Sequence, residues 1–98
     1  MASIADLVEP ESLRQRAGEY LDRAGQVLRE SGRVRLTELG PTRVTGEVDD
    51  QGARTVVLES GPAGLRVVCD CGAPGTDGLC PHVVAVAIET WYRAPNRR

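Results

Sequence analysis

Residues 69 to 82 read CDCGAPGTDGLCPH and hold all three cysteines and the single histidine of a 98-residue chain. Thiolate sulfur and imidazole nitrogen are the soft and borderline donors that zinc prefers. Cys69 and Cys71 stand two residues apart, and in an extended strand such residues point to the same side, about 6.6 Å apart along the chain. A small local bend brings both sulfurs to ~2.3 Å from one ion. Cys80 and His82 repeat the spacing, and Pro81 between them has a fixed φ suited to the first turn of a following helix. The linker GAPGTDGL carries three Gly and one Pro in eight residues, so it can fold back without a core of its own. Two pairs meeting make a Cys₃His set, four ligands in a tetrahedron, the form of a closed structural zinc site.

Other readings of the same residues are a chance cluster, a strained Cys69–Cys71 disulfide, or a reactive Cys80–His82 dyad. The sequence offers the dyad no evident orienting carboxylate or oxyanion donors. The glycines of the linker lack the Lys-Ser/Thr ending of a phosphate loop, so turn-making accounts for them. A closed zinc site leaves no position for water or substrate. The expectation is therefore not an enzyme, with no small-molecule substrate.

The elements that must position these ligands are legible upstream. The pattern predicts one α+β domain over residues 1–98, with a helical part at 3–31, a sheet at 32–69, and the finger with its helix at 69–93. Ser3 is placed to cap a short first helix, and Pro10 interrupts it and opens a second. Leu13, Ala17, Tyr20, Leu21, Ala24, Val27 and Leu28 then recur at three- and four-residue steps, one apolar helix face. Glu19 can pair with Arg23 one turn on. Gly18 and Gly25 each cost ~1 kcal/mol against Ala, which permits a break near Gly18. Ser31-Gly32 ends the helix.

From Arg33 the period changes to two. RVRLTEL, TRVTGEV, ARTVVLES and GLRVVC are short, β-branched and separated by turn residues. Val34, Leu36, Val44, Val48, Val56, Leu58, Leu65 and Val67 line one face; Arg33, Arg35, Arg43, Thr45, Glu47 and Arg66 line the other. The short links predict an antiparallel meander of about four strands with one wet face. With no Phe, one Trp and two Tyr, Val, Leu and Ala must supply the packing, and a metal constraint is physically useful.

Composition narrows the setting. The opening MASIADLVEP has neither a basic nor an apolar signal region, and the longest apolar run, VVAVAI at 83–88, is too short to cross a bilayer. Three cysteines without a signal argue against a disulfide framework. A cytoplasmic protein with no membrane association is expected. Net charge is −2, unevenly spread: residues 14–35 carry six Arg against three acids, and residues 36–82 carry three Arg against seven acids.

The pattern Cys-x-Cys, eight residues, Cys-x-His, followed directly by VVAVAI, resembles the SWIM zinc finger. Upstream, GEYLDRAGQVLRESGRVRL, TRVTGEV and RTVVLES are similar to the helix and strands that precede the finger in bacterial SWIM proteins. The resemblance implies strands leading into the finger, a helix leaving it, and Cys69, Cys71, Cys80 and His82 as ligands of one Zn²⁺. The family occurs in Swi/Snf-type ATPases, Mutator-type transposases and recombination-associated proteins, where it contacts DNA or proteins. Many members have Lys before the histidine; here it is Pro81, and these 98 residues include no ATPase or transposase.

Charge separates those two roles. A helix that reads the major groove needs polar side chains near its start, whereas this one begins Val83, Val84, Ala85, Val86, Ala87, Ile88 and belongs in a core or against a partner. The finger adds Asp70 and Asp77 but no Arg, and three thiolates on Zn²⁺ contribute a further −1. The expected function is a non-enzymatic module mediating protein–protein interaction in a larger, DNA-processing complex. The alternative is a nucleic-acid-binding accessory protein using the Arg-bearing helix (Arg14, Arg23, Arg29) and the tail, where Trp91 and Tyr92 beside Arg93 form either a hot spot or a cap on the core.

Overall fold

The computed structural model describes residues 4, 8–50, 52–62, 64–70 and 80–93. Ser3, Cys71, the linker 72–79 and the tail 94–98 lie outside the described residues. The order is α1 (Pro10–Ala17), α2 (Glu19–Glu30), β1 (Val34–Leu39), β2 (Arg43–Asp49), β3 (Ala53–Gly61), β4 (Gly64–Cys69) and α3 (Pro81–Arg93). It is an α+β fold with the strands in order β1-β2-β3-β4, all neighbours antiparallel.

Local chemistry sets each boundary. Pro10 opens α1, where a missing N–H costs nothing. The Glu9 carboxylate accepts from the backbone N–H groups of Ser12 and Glu11, each at 3.2 Å, and from the Ser12 hydroxyl. Those bonds favour the ionised form and hold the Glu9 pKa below the usual value. Gly18, at φ +91°, breaks α1 from α2 and donates its N–H to Arg14. Few side chains tolerate that backbone geometry. Ser31 and Gly32 close α2, with Gly32 at φ +74°.

One detail departs from the pattern. Among the described residues Glu19 and Arg23 form no ion pair; the one-turn pair on α2 is Asp22 with Gln26, whose Nε2 donates at 2.7 Å.

The sheet follows its alternation. Val44, Val48, Val56 and Leu58 are fully buried, and Val34, Leu36, Leu65 and Val67 pack on them from the edge strands. The opposite face carries Arg35 paired with Glu47, and Arg43 near Glu38. A register shift between Leu36 and Glu38 bends β1, the edge strand.

Helix α3 is the centre of the molecule. It packs against α2 on one side and against all four strands on the other, and every residue from His82 through Thr90 is buried. An all-round apolar helix requires that placement. Two glycines make room for it. A Cβ on Gly25 of α2 would stand 2.4 Å from Val84 Cγ1, and one on Gly46 of β2 would stand 3.0 Å from both Val86 methyls. Glu89, buried on α3, accepts from Arg29 of α2 at 3.0 Å and from Arg93 at 2.6 Å. The pair across the two helices fixes their rotation.

The expected apolar face of α2 is too wide. Leu21, Ala24, Gly25 and Leu28 turn inward, whereas Tyr20 is 83% exposed and Val27 is 56% exposed. Trp91 and Tyr92 also divide: Trp91 packs on the core, and Tyr92 is half exposed with the Arg29 guanidinium 4.2 Å from its ring centroid, a cation–π arrangement. No described helix is long and apolar enough to cross a membrane.

Candidate metal centre

The end of β4 and the start of α3 bring three of the four expected ligands together. Cys69 is the last residue of β4, facing the core opposite Val56. Cys80 immediately precedes α3 and is 2% exposed, with its carbonyl accepting from Val84 N–H at 3.0 Å. His82 lies in the first turn of α3 and is 8% exposed. The metal-binding atoms of Cys69, Cys80 and His82 all lie within 4.8 Å of one another. Cys71, the fourth expected ligand, falls outside the described residues.

Distances decide what such a group can hold. In a tetrahedron with Zn–S ≈ 2.3 Å and Zn–N ≈ 2.0–2.1 Å, sulfur and nitrogen stand ~3.6 Å apart. His82 Nδ1 lies 3.8 Å from Cys69 Sγ and 3.7 Å from Cys80 Sγ. The two sulfurs flank one ring nitrogen almost equally, as ligands around a common ion do. The three residues lie close enough to hold a metal ion.

The other ring nitrogen is also engaged. His82 Nε2 stands 2.8 Å from Asp50 Oδ2. An ionised carboxylate only accepts, so Nε2 carries the hydrogen of this pair, and Nδ1 is the ring atom that faces the two sulfurs. The sequence reading found no orienting carboxylate, and the structure corrects it: Asp50, from the β2–β3 turn, is one. It was missed because it sits in Asp49-Asp50-Gln51-Gly52, where an acid reads as turn chemistry. Nothing local marks a residue whose partner is 32 positions away.

Two further residues tie the sheet to this end of the molecule. Asp70 extends the β3–β4 pairing past Cys69, its N–H donating to Thr55 O at 3.2 Å while its Oδ1 accepts from Thr55 N–H at 3.0 Å. Asp70, read from sequence only as negative charge, therefore fastens the end of β4 to Thr55 of β3. Arg54 pairs with Val48 and lies one side-chain step along β3 from Val56, the partner of Cys69. Its Nε is buried without a hydrogen-bond partner.

No protein-family model, curated protein or solved structure matches the chain.

Proposed function

We propose that this is a SWIM-type zinc module, a non-enzymatic cytoplasmic domain whose single structural Zn²⁺ is held by Cys69, Cys71, Cys80 and His82. The observation that carries the reading is the near-equal placement of two sulfurs about His82 Nδ1, on residues whose spacing matches that finger. Cys–His–Asp geometry also occurs in thiol nucleophiles, but a nucleophile needs access, and Cys80 is 2% exposed. Two sulfurs sharing one nitrogen have no use in that chemistry. The purified protein is expected to carry one zinc per chain by elemental analysis. Cys69→Ser, Cys71→Ser, Cys80→Ser and His82→Ala should each lose most of it; full zinc content in all four would refute the ligand set.

The module's role is to bind a protein partner in a larger assembly. Burial of α3 on both sides supports this over groove reading, since residues 82–90 of that helix leave no face for DNA. The Arg residues of the alternative reading are also engaged or offset. Arg29 is held by Glu89 and lies over Tyr92. Arg14 and Arg23 line a surface groove of about 410 Å³ together with Glu19, Asp22 and Glu30. Duplex DNA binding at physiological salt is expected at about 10⁻⁴ M or weaker, measurable by fluorescence anisotropy. Submicromolar, sequence-dependent binding would reverse the choice of partner. A pulldown from native cytosol with and without nuclease tests the role itself: protein partners should survive nuclease, and their complete loss would favour the accessory-protein reading.

A further inference from the structure

We propose that Asp50 is the positioning residue of the metal centre, and that it makes Nδ1 rather than Nε2 the ligating atom of His82. The inference rests on the metal reading above and specifies how the site is built. Histidine can ligate through either nitrogen, and the choice is set by the hydrogen bond the other nitrogen makes. Here the Asp50 carboxylate holds Nε2–H at 2.8 Å. With Nε2 occupied, the ring can offer a lone pair only from Nδ1, and that atom is the one facing Cys69 and Cys80.

The ring has little freedom to do otherwise. His82 is 8% exposed, on a helix buried along its length. Asp50 is itself fixed: its N–H donates to Gly52 O at 3.1 Å, and the neighbouring Asp49 N–H donates to Arg33 O at 2.9 Å. Gly52, at φ +118°, closes the turn in a conformation other residues rarely adopt. Asp50 thus reaches from the end of β2 to the first turn of α3. A carboxylate on the far nitrogen also raises the basicity of the ligating one, and losing such a partner usually costs 10–100-fold in metal affinity.

Because His82 is the only histidine in the chain, its ring nitrogens can be read in the intact protein by ¹⁵N NMR without assignment. The zinc-loaded wild type should show Nε2 protonated and Nδ1 bound to metal. Asp50→Ala should bind zinc 10–100-fold more weakly in chelator competition and show a mixed or switched ring-nitrogen pattern. Asp50→Asn, which keeps an acceptor oxygen, should retain the Nδ1 pattern with a smaller loss. Asp49→Ala, one residue away and exposed, should behave as wild type. Ligation through Nε2 in the wild type, or Asp50→Ala with unchanged affinity and spectrum, overturns the proposal while leaving the zinc site standing. A wild type that takes up no zinc overturns both.

Discussion

Removal of zinc by a strong chelator is expected to lower the melting temperature drastically, or to leave the chain unfolded at room temperature. Apparent binding energies of structural zinc run to about 10–16 kcal/mol, while a whole domain is stable by ~5–15 kcal/mol. A core without Phe sits toward the lower end. In the proposed site zinc joins β4 to α3, and α3 is the layer shared by α2 and the sheet, so its release would uncover Val44, Val48, Val56 and Leu58 together with Leu21 and Leu28. A single cooperative transition is expected rather than a stepwise one. Circular dichroism melts with and without chelator, with metal release measured separately, decide it. A metal-free protein melting at the holo temperature would make zinc dispensable to the fold.

Gly25→Leu is expected to destabilise the protein by an amount at the upper end of ~1–3 kcal/mol or beyond, even though leucine favours helix over glycine by nearly 1 kcal/mol. The two effects oppose each other, and the contact distances decide between them. A Cβ at position 25 would stand 2.4 Å and 2.7 Å from Val84 side-chain carbons and 3.0 Å from the Ala85 backbone nitrogen. Val84 is β-branched and fully buried, so it cannot swing aside, and Ala85 N belongs to the α3 backbone. The helices must separate, which also pulls Arg29 from Glu89. Gly25→Ala should already show the same sign with a smaller size. Urea denaturation of the zinc-loaded protein measures both; a stabilised Gly25→Ala would show that the crossing relaxes freely.

Gly25 also shows why some of the fold was illegible. In sequence it is a helix-weakening residue, and the reason it belongs there arrives with Val84, on another helix far along the chain. Tyr20 and Val27 mislead in the reverse direction. They sit at helical spacing beside Leu21 and Leu28, yet the strip of α2 that α3 can reach excludes them. Asp50 hides in an acidic turn, and only the tertiary fold brings it to His82. By contrast the four strands were readable to within a residue at their ends, because period-two burial, β-branched content and turn residues are properties of neighbours. The meeting of Cys69, Cys80 and His82 was readable for the same reason: these residue types are concentrated within a single short segment. Legibility here ended where the partner lay across the core.

A ribosome delivers α1, α2 and the whole meander before it delivers α3. At ~5–20 residues per second the interval is on the order of seconds. Throughout that time the inner face of the sheet, with Val44, Val48, Val56 and Leu58, has no cover, and β4 presents an edge strand able to pair with another chain. Long-range closure must then bring α3 back between layers made much earlier, with Arg29 and Glu89 meeting across 60 positions. The nascent chain therefore passes through a window of aggregation risk that closes only when the last helix docks. Yield during expression is expected to follow the zinc supply of the cell, through this race between docking and self-association.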